Sequence, residues 1–208
     1  MFEPLSSRDG ILAAAIDVIE REGEAALRVD RIAQAAEITK PSIYHFFHDR
    51  DGLIVAAQAD RYRRSINFGL LSLDFDRVLD CDSQAHFAGL LYSAVSSSTS
   101  ADGVLRRRLR VQVLGSAVTR PELQKSIEQV HRESIITLAK VFGYGQKRGW
   151  VQSNFSPSAL AAWWYGTIGG RHLVEDYSET ADADEWPQIT WSAIVHLLGF
   201  PADMQFDD

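Results

Sequence analysis

Apolar residues recur at three- and four-residue steps along almost the whole chain, the spacing of helices with one buried face. From about Ser7 to Arg21, Ile11, Leu12, Ala15, Ile16 and Ile19 fall on one side. Ser6 or Ser7 can cap the start of this helix, and Gly23 can end it with a left-handed backbone. A short helix is predicted around Val29–Ala36. Thr39 is then placed to N-cap a second short helix, with Pro41 in its first turn, where a missing N–H costs little. That helix carries Ile43, Tyr44, Phe46 and Phe47, and Asp49 caps a longer one from about Arg50 to Leu70. The polar, acidic segment Ser72–Ser83 predicts a loop. Four further helical stretches cover about Gln84–Ser97, Gly103–Val118, Pro121–Tyr144 and Ser156–Tyr177, and a last one about Asp184–Leu198. Turn signals separate them at Ser96–Asp102, Arg120–Pro121, Gly145–Pro157 and Ser178–Asp184. Nine helices, with no strand-like alternation and no fixed-period repeat, make an all-α fold.

A chain of 208 residues suits one large domain or a small one joined to a larger, and 46% hydrophobic content supplies a sizeable core. No run of about 18 uncharged apolar residues is present, which argues against a membrane span. The acidic Glu3 and the lack of a basic, then apolar, then small-residue run argue against a secretory signal, so a cytoplasmic location is expected. Cys81 is the single cysteine, which excludes an internal disulfide and a multi-cysteine zinc site. A net charge of −7 points away from general nucleic-acid affinity. Attraction to phosphate must come from a local patch, because screening confines charge effects to roughly 10 Å at ordinary salt.

Such a patch is legible in VDRIAQAAEITKPSIYHFFHDRDGL, residues 29–53. Ile32, Ala33 and Ala36 make one apolar face on the first short helix, Ile38 fills the corner, and Ile43, Phe46 and Phe47 return an apolar face from the second. Helices under about 12 residues are marginal alone, so these two must lock together and onto the first helix. Thr39, Lys40, Pro41, Ser42, Tyr44, His45 and His48 are left facing outward. Hydroxyls, imidazoles and a cation at the exposed start of a helix can bond to phosphates and base edges, and the helix N-terminus itself favours an anion.

The pattern I-A-x-x-A, a corner, T-K-P-S-I-Y-H-F-F and D-R-D-G-L resembles the tetracycline-repressor-like (TetR) family of bacterial transcription regulators. Beyond the fourth helix the resemblance rests on helix count, length and a G-W-V followed by S-P-S-A-L-A-A. It implies a helix-turn-helix DNA-binding domain over 1–50, and a larger C-terminal domain over 51–208 that binds a ligand and dimerises. The second short helix would enter the major groove. The function implied is a regulator, foremost a repressor, that binds a palindromic double-stranded DNA operator as a homodimer and is released by a small, largely hydrophobic effector. Arg28, Thr39, Lys40, Pro41, Ser42, Tyr44, His45 and Arg50 are the expected DNA contacts. The sequence departs from the family at three places. Glu37 stands where the corner usually has glycine, and strains if the backbone there needs positive φ. Arg28 replaces the usual Ser/Thr cap, leaving capping to Asp30 or water. Arg50 replaces the usual lysine opening the fourth helix, keeping a charge that can reach phosphate.

The remaining chemistry is sparse. Arg106, Arg107, Arg108 and Arg110 look like a nucleic-acid patch but read better as the wet face of a helix, with Leu105, Leu109 and Val113 inward. His131 and His172 have no carboxylate or second histidine at ligand spacing, so no metal site is expected. No G-x-S-x-G, P-loop or dinucleotide fingerprint appears, and neither catalytic residues nor a cofactor are expected. Ala159, Ala162, Gly166, Gly169 and Gly170 share one side of their helix. Glycines there cost roughly 1 kcal/mol each against alanine and usually serve close packing, either within the chain or, as the resemblance implies for Ala162, Gly166, Gly169 and Gly170, against a second subunit. Among the many C-terminal aromatics, which include Phe68, Phe87, Phe142, Trp163 and Tyr165, Tyr62, Tyr92 and Trp164 join Gln112 and His131 as candidates to line a pocket. The alternatives are an all-helical enzyme with an aromatic pocket, and an interaction protein whose helix-turn-helix no longer binds DNA.

Overall fold

A computed structural model of the chain describes residues 7–67, 75–98, 100–171, 185–201 and 204. These hold ten α-helices and no strand: α1 (Ser7–Glu22), α2 (Val29–Ala35), α3 (Lys40–Phe47), α4 (Arg50–Asn67), α5 (Phe75–Leu79), α6 (Gln84–Ser98), α7 (Ala101–Ala117), α8 (Pro121–Lys147), α9 (Pro157–Gly170) and α10 (Trp186–Leu198), with a 3-10 turn at Glu24–Ala26. The fold is all-α, as the periodicity predicts. It departs from the expected pattern at two elements. The segment expected to be loop contains α5, a single turn and a half anchored by the buried Val78. Helix α8 runs past Gly145 instead of stopping at Tyr144. A Cβ at Gly145 would press on Val151 and the Phe87 ring, so the glycine is a close-packing residue inside the helix and not a breaker. Phe68, His172 and the expected continuation of α9 to Tyr177 lie outside the described residues.

The helices form two compact units. The first holds α1 to α3, α4 as far as Arg64, and Gln112–Ile127, which is the end of α7 and the start of α8. Its core joins Ile11, Ala15, Ile16 and Ile19 of α1 to Ile32 and Ala33 of α2, Ile43 and Phe47 of α3, and Leu53, Ile54 and Ala57 of α4. Gly23 does end α1: its amide reaches the Ile19 carbonyl at 3.0 Å with φ 83° and ψ 165°, a backbone open in practice to glycine alone. Around this core runs a polar network. The Glu24 carboxylate accepts from Gln58 Nε2 at 2.9 Å and Ser116 Oγ at 2.7 Å, and pairs with Arg120 at 2.5 Å. Arg120 also pairs with Asp51 at 2.8 Å, and Gln58 Oε1 accepts from the buried Arg61 at 2.7 Å. Burial pushes the Glu24 carboxyl up, but the bonds from Gln58 and Ser116 and the Arg120 charge outweigh it and hold it below its ordinary value.

The second unit, Ser65–Val111 with Glu128–Asp208, is packed by rings. Phe142 meets Trp164 edge to face at 5.8 Å, Phe87 meets Phe200 at 6.4 Å, and Tyr92 meets Trp191 at 5.2 Å. Arg148 lies over Trp150 at 4.6 Å. Gln152 ties the turn before α9 to the end of α10, its amide donating to the Leu198 carbonyl and its side chain to that of Leu197, so that carbonyls left over at a helix end are satisfied. Ser156 caps α9 by accepting the Ala159 amide at 3.2 Å. On α7 the expected faces are wrong at one end. Leu105 is exposed and Arg107 is buried, because its guanidinium donates to the Ser98 carbonyl at 2.6 Å and so neutralises the C-terminus of α6. Of the arginine run only Arg108 is exposed; Arg106 and Arg110 are half-buried.

Candidate DNA-binding interface

Helices α2 and α3 meet at a tight corner. The Ile38 amide donates to the Ala33 carbonyl at 3.0 Å and the Glu37 amide to that of Gln34 at 3.3 Å, the paired bonds of a Schellman end in which one residue must be left-handed. That residue is Glu37, at φ 54°, so the expected strain is present. Arg28 takes the N-cap place of α2 with extended backbone and no side-chain cap, while Asp30 pairs with Lys40 at 2.5 Å.

Thr39 precedes α3 with its backbone extended, and its carbonyl accepts the Ser42 amide at 3.1 Å. Its hydroxyl does not cap the helix as expected. It bonds to Ser42 Oγ at 2.9 Å. Ile43 and Phe47 are buried, and the Arg8 guanidinium covers the Phe47 ring at 5.3 Å. Phe46, expected beside them, faces out and is 39% exposed. The helical turn allows this: Ile43 and Phe47 sit four residues apart on one side, and Phe46 falls about 100° away from Phe47. The α3–α4 corner is closed by His48 at φ 65°, whose amide reaches the Tyr44 carbonyl, and by Asp49, which caps α4 through the Gly52 amide at 2.7 Å. Any Cβ at Gly52 would collide with the Phe47 carbonyl oxygen.

Six of the eight expected DNA contacts, Thr39, Lys40, Pro41, Ser42, Tyr44 and His45, are therefore brought to one outward surface, all exposed except the half-buried Ser42. The other two are placed differently. Arg28 donates to the carbonyls of Ala25 and Leu27. Arg50 donates through Nε to Leu27 at 2.9 Å and through Nη2 to Glu24 at 3.1 Å, which ties the turn before α2 to the start of α4. Lys40 is held protonated above its ordinary range by Asp30, and Arg31 pairs with Glu22, so both cations carry internal counter-ions for which a phosphate must compete. Sequence reasoning did not foresee that Arg8 covers Phe47 or that Phe46 faces out. Both positions are settled by rotation about a helix and not by residue type. Among the described residues no three His, Cys, Asp or Glu side chains gather as a metal would need.

A short, outward-facing helix locked to its partner through Ile32, Ala33, Ile43 and Phe47 has the geometry of a helix-turn-helix. Residues 11–57 match the family model described as bacterial regulatory proteins, tetR family. No curated protein sequence matches it. The fold is shared with Salmonella enterica GusR, at 19% identity over 96% of this chain and 98% of that one, with a TM-score of 0.67. A TetR-family transcriptional regulator of Mesorhizobium loti superposes with a TM-score of 0.68 at 16% identity, covering 95% and 98%. FadR from Bacillus subtilis, solved in complex with stearoyl-CoA, does so with 0.58 at 14%, covering 91% and 98%. No helix among the described residues is long and apolar enough to cross a membrane.

Proposed function

We propose that the chain is a homodimeric repressor that places α3 of each protomer in successive major grooves of a palindromic operator and leaves it when a largely apolar effector binds. The observation that carries this reading is the surface of α3: Lys40, Tyr44 and His45 project from a helix whose opposite side is locked by Ile43 and Phe47. Dimerisation is supported by α9. Ala162 and Gly166 are exposed, and a Cβ added at Gly166, Gly169 or Gly170 would meet nothing among the described residues, so packing within them does not account for the glycines. Ile189, exposed on α10, adds an apolar side chain that a partner would cover. Of the expected pocket residues, Tyr62 and Trp164 are buried and His131 is half-buried with its ring 5.3 Å from Tyr165, while Tyr92 and Gln112 are exposed. Effector contact is assigned to His131 and Trp164, both in the second unit. An acyl chain like that bound by FadR suits such a lining, and binding to one conformation in preference shifts the population.

The test is fluorescence anisotropy on DNA selected from a random pool by the wild-type protein. Selected sequences should be palindromic with half-sites about one turn apart, on the order of 34 Å. Lys40→Ala and Tyr44→Ala should lose affinity while sedimenting as the wild type does. Selection of no sequence, or wild-type affinity in both variants, sinks the reading.

A further inference from the structure

We propose that Phe46 reads sequence directly, by packing its ring on the 5-methyl group of a thymine in the major groove. The inference rests on α3 being the major-groove helix. At about 100° per residue, the exposed surface of α3 has two flanks with His45 between them. Lys40 and Tyr44, four residues apart, form one flank. Ser42 and Phe46, also four apart, form the other, with Thr39 at its start. The first flank is cationic and phenolic. The second pairs two hydroxyls, already bonded to each other at 2.9 Å, with an unsubstituted phenyl ring.

That ring has no donor or acceptor, so it cannot read a base by hydrogen bonding. The methyl of thymine is the one such group a major groove displays, and apolar contact with it distinguishes thymine from every other base. The ring is not part of the core of the first unit: its aromatic neighbours are His45 at 5.4 Å and Phe47 at 6.4 Å, both on α3 itself. Edge-on to His45, it stands beside the residue that projects furthest from the core. A phenyl at this place, flanked by hydroxyls suited to phosphate or a neighbouring base, is chemically complementary to an apolar spot on DNA within a polar surround.

The experiment uses full-length protein and the DNA it selects from a random pool. Each thymine is replaced in turn by deoxyuridine, which removes the methyl and leaves base pairing intact. At one thymine per half-site, wild-type affinity should fall about fourfold, the value of burying one methyl-sized group. Phe46→Ala should bind the thymine operator several-fold more weakly and be indifferent to uracil at that position. Phe46→Leu, which keeps an apolar contact, should retain part of the discrimination. Equal sensitivity of wild type and Phe46→Ala to every replacement overturns the proposal, as does a wild type indifferent at every thymine. A Phe46→Ala protein that sediments as a monomer would instead place the ring against a second copy of the chain, and also overturns it. If Phe46→Ala melts well below wild type, the Phe46→Leu measurement decides: no residual discrimination counts against. Failure of the wild type to select any DNA would overturn the repressor reading itself, whereas normal selection without thymine discrimination overturns only this one.

Discussion

The two units solve one problem by different means. The first sets a three-residue turn and helices of seven and eight residues, each too short to bury much surface, against the longer α1 and α4, and it is stitched by directional polar contacts: Glu24 with Gln58, Ser116 and Arg120, Arg120 with Asp51, Arg50 with two carbonyls. The second is closed by rings meeting edge to face. Directional bonds hold a register, which a helix that must match a groove requires. Apolar contacts of aromatic residues tolerate adjustment, which suits the ligand-accepting role proposed for this unit. The division offers a reporter as well, because all five tryptophans belong to the second unit.

The comparison can be broken by removing one element from each side. Trp164→Ala carries the largest expected effect. The side chain is 1% exposed and seated on Phe142, so truncation should destabilise by about 3–5 kcal/mol in urea unfolding, followed by the remaining tryptophans. Arg120→Met should cost less, roughly 2 kcal/mol, since it leaves the partly buried Glu24 without its cation while Gln58 and Ser116 still serve it. Salt separates the two. Between about 0.1 and 1 M the screening length falls from about 10 to 3 Å, so the Arg120 deficit should shrink and the Trp164 deficit should not. Equal salt response in the two variants would show that the units are not held by different forces.

Much of the first unit was legible in the sequence because its signals are local. The corner, α3 and the α3–α4 junction lie within 25 consecutive residues, and even the strain at Glu37 follows from a single residue standing in a glycine's place. What escaped was anything set by rotation or by distance along the chain. Ile43, Phe46 and Phe47, at i, i+3 and i+4, can share one face of a helix, and only packing decides that Phe46, at the edge of that face, turns out. The contacts of Arg120 with Asp51 and of Ser116 with Glu24 span 69 and 92 residues, and nothing in composition pairs them. In the second unit, Arg107 reads as a solvated charge until the α6 carbonyl it serves is in place.

Glu37→Gly sharpens the comparison from the other side, by improving the first unit. Relief of a left-handed non-glycine residue should raise stability by about 1 kcal/mol, partly offset by the greater freedom of glycine in the unfolded chain. It should also remove a negative charge beside α3 and strengthen operator binding at low salt. A thermal melt and an anisotropy titration measure both. A lower melting temperature would mean that the Glu37 carboxylate makes a contact worth more than the strain.

The smallest expected effect is a difference in acid response. Burial pushes the His131 imidazole below its ordinary value of 6.5, against a weaker upward pull from the Glu128 charge. The folded state thus holds its proton less tightly than the unfolded state. The stability this represents is present above pH 6.5 and is lost as pH falls through the lower folded value. Glu24 in the first unit is also shifted down, but from 4.5, so its share is complete above that pH and disappears only in stronger acid. Two windows follow, the second unit yielding first. Tryptophan-detected melting should therefore fall as pH drops from about 7 through 6.5 and below, and His131→Gln, which cannot titrate, should fall less over the same range. Glu24→Gln should leave that range unaltered and flatten the decline below about pH 4.5. A His131→Gln protein that tracks the wild type throughout would remove the histidine from the pH response of the second unit and leave no difference in acid response between the two.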